Sequence, residues 1–439
     1  MISYKPMSDK PSVRSPWFWV PSLYFAQGIP YVAVMIVSVL MYKRLGVSNT
    51  DIALYTSGLN LPWVIKPLWS PLVDLLKTKR WWIVVMQILV GAGLAGIALT
   101  IQGPLAFMWL LAFSSATHDI AADGFYMLGL NEKKQAYFVG IRNTFYRFAV
   151  IFGQGILVMF AGWLEQRYAR EMPETAAIPQ AWSLTFYLLT ILFALLFVYH
   201  YLFLPHPRRD TCTLPPQQAS AGRVFKEFLG TFTSFFQKKH IVSALIFILL
   251  YRFAEAQLVK ITSPFLLDTP ATGGLALSTA EVGFIYGTIG VIALTIGGIV
   301  GGIAMARRGL KSCLWTMTIA MNLPNIVYLY LSFARPESIG IISGCVAIEQ
   351  FGYGFGFTSL TYFMMLFSNG KHQTAHYAIC TGFMALGLML PGMISGWIEE
   401  SIGYRAFFVW IMLCTIPSFW ATHLVRKNLT DNHSDNSSR

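Results

Sequence analysis

The stretch Ser114 to Met127, SSATHDIAADGFYM, sets two carboxylates one helical turn apart inside an otherwise lipid-like run. Asp119 and Asp123 stand at i and i+4, so a helix presents them on one face. Held near cations, such carboxylates suit proton coupling. Each stays ionised while a counter-charge screens it, and protonation or solute binding releases that counter-charge. Lys66, Arg142 and Arg147 are the candidate counter-charges. His118 titrates near neutrality, but adjacent residues point apart on a helix, and it reads as a packed, hydrogen-bonded imidazole.

A charge at bilayer depth costs at least about 2.5 kcal/mol, so each needs a partner, a water cavity or a task. At ~1.5 Å per residue, Lys66, Asp119, Arg147, Arg252, Glu255 and Glu349 all lie roughly 15 Å from a membrane face. Charges from several spans thus meet in one layer, with Asp123 and Arg142 nearer one surface. Arg252 and Glu255, at i and i+3, can pair with each other or contact a solute. Tyr24, Gln27 and Tyr31 repeat on one face around QGIP, where Gly28 and Pro30 weaken the helix and free backbone groups beside a cavity. Trp63, near Lys66, is placed to stack on a sugar. The candidate lining of a solute path is therefore Tyr24, Gln27, Trp63, Tyr146, Arg252, Glu255, Glu349 and Tyr353. Asp74, beside Lys77, Lys79 and Arg80, reads as a gate. GYGFGF, Gly352 to Phe357, lacks the strand–turn–helix context of a phosphate loop and reads as close helix packing.

These residues have to be positioned by membrane helices. Of 439 residues only 12% are charged and 55% are hydrophobic, with mean hydropathy +0.55. A soluble domain carries roughly twice that charged fraction. Apolar runs long enough to span a bilayer fall at 17–42, 51–76, 81–101, 104–128, 137–163, 182–204, 241–268, 279–305, 312–333, 338–367, 374–399 and 404–425. Of the 32 Lys+Arg, 21 then lie on the side of the termini and 6 on the other. By the positive-inside rule both termini are cytoplasmic. The net charge of +12 is topogenic, and no nucleic-acid partner is expected. The 5 cysteines form no CxxC pair and read as buried thiols, with neither a disulfide framework nor a metal site. The first residues show no h-region with a cleavage site, so no cleaved signal peptide is expected.

The expected organisation is a cytoplasmic segment at 1–16, a six-helix bundle at 17–204, a linker at 205–240, a second bundle at 241–425 and a disordered cytoplasmic tail at 426–439. In the linker, Val224, Phe225, Phe228, Leu229, Phe232, Phe235 and Phe236 recur at helical spacing, which suggests an amphipathic helix in the interface. The halves look related: NTDIALYTSG matches TAEVGFIYGT, and AGWLEQ matches SGWIEE, at nearly one offset. Two parallel six-helix repeats with the solute path between them make an all-α, polytopic major-facilitator fold.

The motifs FAQGIPYVAV, KPLWSPLVD (Lys66 to Asp74) and SSATHDIAADGF resemble those of the AmpG-type muropeptide permeases, most strongly over 17–165. The resemblance implies proton-driven import of GlcNAc-1,6-anhydro-MurNAc and its peptides across a bacterial inner membrane. It places Lys66 and Asp74 at the family's span 2 positions, and Asp119 and Asp123 at its acidic positions. His118 stands where that family usually has Gln, and twelve spans are visible where well-known members have two more.

The expected protein is a secondary transporter without cofactor, driven by a proton gradient. Its partners are a small sugar- or peptide-containing solute, protons and membrane lipids, and it works as a monomer. The alternative is a carrier of another oligosaccharide, peptide or acyl-CoA-like anion, by symport or exchange. An enzyme would need a nucleophile, metal cluster or cofactor motif at one depth. No HExxH, GxSxG or Cys/His cluster occurs.

Overall fold

Backbone amides within a bilayer have no water to bond, so the chain satisfies them inside helices. The computed structural model describes residues 15–130, 132–207, 210, 229–230, 232–369 and 373–437, without the side chains of 71–72, 74–76, 132–133, 135–137, 139–140, 143, 306, 373–375 and 428–437. Among the described residues twelve long helical segments follow one another. The first half holds α1 (Pro16–Arg44), α2 (Asn49–Gly58 and Leu61–Leu76), α3 (Lys79–Leu99), α4 (Leu105–Gly129), α5 (132–168) and α6 (Glu174–Phe203). The second holds α7 (Ile241–Leu267), α8 (Thr279–Met305), α9 (Arg307–Ala334) and α10 (Ile339–Ser368). The stretch Gln373–Leu413 then divides at Gly403 (φ 76°) into α11 and the start of α12, which resumes as Ile416–Ser437. Among the described residues nine segments are long and apolar enough to cross a membrane, and His376–Lys427 contains two crossings. The remaining two, α2 and α10, are diluted by polar residues and glycines.

The expected tail from 426 is helical to Ser437, and no glycine or proline interrupts it. Of the linker helix, Val224, Phe225 and Phe228 lie outside the described residues. Phe235 is buried against Phe367, His376 and Phe383, so this end docks on the second half. Pro30 does not break α1; the helix widens into a π-turn at Ala33–Val37. Gly28 serves close packing, since a Cβ there would stand 2.6 Å from that of Ala149. Gly352, Gly354 and Gly356 likewise bring α10 onto the backbones of α8 and α9.

The distribution of apolar cores shows which way the molecule is closed. On the face opposite the termini one core runs through both halves, from Val34 and Leu94 to Ile261, Val282 and Phe408. On the terminal face each half has its own core, around Phe125 in the first and Phe247 in the second. The halves are thus joined at the distal face and separate towards the termini. Across the seam α2 packs on α11 and α5 on α8. Gly396 permits the first contact, because a Cβ there would overlap the Asn49 carbonyl.

Polar bonds complete that closure. Lys43 pairs with Asp268 at 2.7 Å, and Tyr404 donates to the same carboxylate at 2.5 Å. Asn49 donates to Glu399 at 2.6 Å and the Thr50 amide to Glu400 at 3.0 Å. Glu165 accepts from Arg44 at 3.1 Å in its own half and from Thr279 at 2.8 Å in the other. Ser57 is fully buried in this seam. A partly buried pair worth about 1 kcal/mol shifts a two-state population roughly fivefold. In a Ser57→Cys background, Asp268→Asn should therefore speed labelling by an impermeant maleimide from the distal face by roughly that factor. An unchanged labelling rate would show that the Lys43–Asp268 pair does not hold the halves together.

Candidate functional site

Asp119 and Asp123 lie on the face of α4 that α1, α2 and α5 cover. Asp119 is ion-paired with Lys66 of α2 and accepts a hydrogen bond from the Gln27 amide of α1. One turn on, Asp123 accepts from the Tyr24 hydroxyl at 3.0 Å and faces the Arg142 guanidinium at 3.4 Å. Arg142 also donates to the Tyr24 oxygen at 3.0 Å and lies over the rings of Tyr24 and Tyr126, 4.8 and 5.1 Å from their centroids. Rings facing a guanidinium give it attraction without hydration. Neither pair is sealed: the Lys66 and Asp119 side chains retain 26% and 19% of their exposure. Both carboxylates thus keep some exposed surface.

His118 faces away from this network. Its Nε2 lies 3.1 Å from Gln87, which reaches His200 at 2.8 Å, and His200 reaches Ser22 at 3.0 Å. These contacts tie α4, α3, α6 and α1 together in the packed arrangement expected for His118.

Between the halves lies a cavity of about 560 Å³ lined from α1, α2, α5, α7, α8, α10 and α11. Tyr146, Arg252, Glu255 and Tyr353 line it, as the sequence reading expects. Tyr24 and Gln27 do not line it; both are engaged by the α4 carboxylates. Trp63 is half-buried, set edge-on against Tyr31, which does line the cavity. Glu349 stands behind the wall, accepting from Tyr328 at 3.1 Å and from Gln350 at 2.9 Å. The Asp74 backbone belongs to the last turn of α2, and its side chain lies outside those described. Of the basic cluster beside it, the Lys79 and Arg80 amides are capped by Asp210, at 2.7 and 3.0 Å.

Arg147 pairs with neither carboxylate, and of the two roles open to Arg252 and Glu255 the mutual pairing does not form. Arg147 was a candidate counter-charge, but it faces the cavity, with Nη1 unpartnered and Nη2 3.4 Å from where a Gly298 Cβ would stand. Arg252 and Glu255 do not pair because α7 breaks at Arg252 (φ −107°), and the next helical segment starts at Phe253. Arg252 turns instead to the Tyr353 hydroxyl at 2.5 Å and lies over Phe357, 5.0 Å from its centroid. Glu255 falls in the first turn of the new segment, where the helix dipole favours a carboxylate.

Tyr31, which the sequence sets on one face with Tyr24 and Gln27, lines the cavity, and so do several residues it does not single out, among them Asn60, Gln154, Gln350 and Lys260. Lys260 had a legible signal, as one of the few cations inside a span. It lies closer to the distal end than the layer of the other charges.

The chain is 23% identical over 419 residues to the anhydromuropeptide permease of Escherichia coli K12, covering 93% of this chain and 79% of that one. It is 25% identical to a Rickettsia conorii protein that carries the name AmpG 4, covering 91% and 93%. The similarity thus extends well beyond the 17–165 region that carries the motifs. Among solved structures, a D-xylose–proton symporter superposes with TM-score 0.68 at 12% identity, covering 93% of this chain and 96% of that one. The nucleoside transporter NupG superposes with TM-score 0.67 at 16% identity, covering 92% and 98%. These are transporters rather than enzymes, and residues 22–374 match the family model described as Major Facilitator Superfamily. With its helices, its cross-half cavity and that match, the chain belongs to the Major Facilitator Superfamily as a multi-pass membrane transporter.

Proposed function

We propose that the protein imports anhydromuropeptides, GlcNAc-1,6-anhydro-MurNAc with or without peptide, by symport with protons across a bacterial inner membrane. The observation that carries this reading is the Lys66–Asp119–Gln27 network beside a cavity between the halves. The similarity to the E. coli permease over nearly the whole chain supports the solute class. The excess of Lys and Arg on the terminal face supports cytoplasmic termini. The closed distal face then looks onto the periplasm, and the parted face onto the cytoplasm.

In this reading Asp119 and Asp123 carry the coupling protons, with Lys66 and Arg142 as their counter-charges. Protonation of Asp119 frees Lys66 and loosens the bond from Gln27, so α1, α2 and α4 lose the contact that fixes their relative position. Deprotonation towards the cytoplasm restores it. The solute occupies the cavity lined by Tyr146, Arg252, Glu255 and Tyr353, and the exchange of open faces carries it inward.

Uptake of labelled GlcNAc-1,6-anhydro-MurNAc into proteoliposomes tests the reading. Accumulation should follow an imposed inward proton gradient in the parent. Asp119→Asn should abolish gradient-driven accumulation while leaving solute counterflow measurable. Full accumulation by that variant would remove Asp119 from coupling, and gradient-independent uptake by the parent would remove symport.

A second measurement tests the pair itself. Removing one member of a desolvated pair leaves the other unmatched, whereas removing both can be nearly neutral. Lys66→Gln should lower the melting temperature in detergent, and Lys66→Gln with Asp119→Asn should recover most of the loss. A coupling of about 0.5–3 kcal/mol is the range for residues in contact. Additive losses would show that the two side chains do not stabilise each other.

A further inference from the structure

The cavity wall is electrically unbalanced. Arg147, Arg252 and Lys260 face it, against a single lining carboxylate, Glu255. Among the described residues none of the three cations forms an ion pair. Lys260 is the most enclosed, with 3% of its surface exposed. Its ammonium donates to the Thr56 hydroxyl at 3.1 Å, and that hydroxyl donates onward to the Ile52 carbonyl at 2.7 Å. An ammonium has three N–H donors, so two have no acceptor among the described residues. Burying an ammonium with unmet donors is costly; the cost is relieved when a counter-charge arrives or when the group gives up its proton. Glu255 does not supply the counter-charge: five residues before Lys260, it stands about 140° away around α7.

Polar groups from both halves converge at this end of the cavity. Asn60 comes from α2 at its break, and Ser263 follows Lys260 on α7. We propose that Lys260, held by Thr56 behind it, forms with Asn60 and Ser263 an anion subsite at the distal end of the cavity that takes a carboxylate of the transported solute. The solute is then an organic acid rather than a neutral sugar or nucleoside. A carboxylate there completes the hydrogen bonding of Lys260 and contacts α2 and α7 together, so it bridges the two halves where they close. This deepens the proposed function and rests on it for the identity of the solute, though not for its charge.

The test is equilibrium binding to purified protein of matched acidic and neutral probes. The probes are glucuronate against glucose, and GlcNAc-1,6-anhydro-MurNAc against its methyl ester. The parent should bind each acid at least tenfold more tightly than its neutral partner. Lys260→Gln should abolish that preference, and Lys260→Arg should keep part of it, with melting temperatures reporting that both variants fold. Absence of any acid preference in the parent overturns the subsite, as does a preference that survives unchanged in Lys260→Gln. Glucuronate preference without binding of the anhydro-disaccharide supports the subsite and defeats the muropeptide reading. Equal binding of the disaccharide and its ester does the reverse.

Discussion

The Lys66–Asp119 ion pair is the contact around which the first half is built. A carboxylate or a lysine at mid-bilayer depth needs a partner or a water-filled cavity, and here each supplies the other's partner. That requirement ties α2 to α4, while the Gln27 amide on the same carboxylate ties both to α1. One turn towards the termini, Asp123 repeats the arrangement with Arg142 and Tyr24, so α5 joins as well. Four helices are held by two carboxylates, each keeping some exposed surface. In the proposed function the same groups that make the bundle cohere are the ones whose charge changes.

The second half meets the same electrostatic constraint differently. Its carboxylates are dispersed: Glu255 sits at a helix start and Glu349 accepts from neutral Tyr328 and Gln350. Its in-span cations, Arg252 and Lys260, face the cavity instead of an acidic partner. The first half is thus largely neutralised within itself, and the surface between the halves is left cationic. Such an interface can be satisfied by a ligand in a way that a self-paired one cannot.

The helices and their layer of charge were legible in the sequence because hydropathy and residue count fix where a span lies and how deep each residue sits. Asp119 with Lys66, and the cavity positions of Tyr146, Arg252, Glu255 and Tyr353, follow from depth and helical spacing. Azimuth was not legible. Arg147 lies at the depth of Asp119 but points to the cavity, and Tyr24 and Gln27 point away from it. The break at Arg252 also has no local signal, since YRFAEA contains neither glycine nor proline. It is held by tertiary contacts: Tyr251 bonds Ser359 at 2.8 Å while Arg252 bonds Tyr353 on the same helix. The i, i+3 rule for Arg252 and Glu255 fails there because the rule presumes one continuous helix.

Helix α2 brings these threads together. Its second segment carries Lys66, and its first carries Thr56, which receives the Lys260 ammonium. Between them the helix is interrupted at Leu59 and Asn60, and Asn60 lines the cavity. The distal end of the same helix is locked to α11 through Asn49 and Thr50. A straight helix would transmit any displacement of Lys66 rigidly to the distal lock. In the proposed function, the interruption would let the segment that answers to the carboxylate charge move without first breaking the bonds of the other segment. The polar residues that dilute α2 are therefore placed where a jointed helix needs them, between the group that can lose its partner and the contacts that close the distal face.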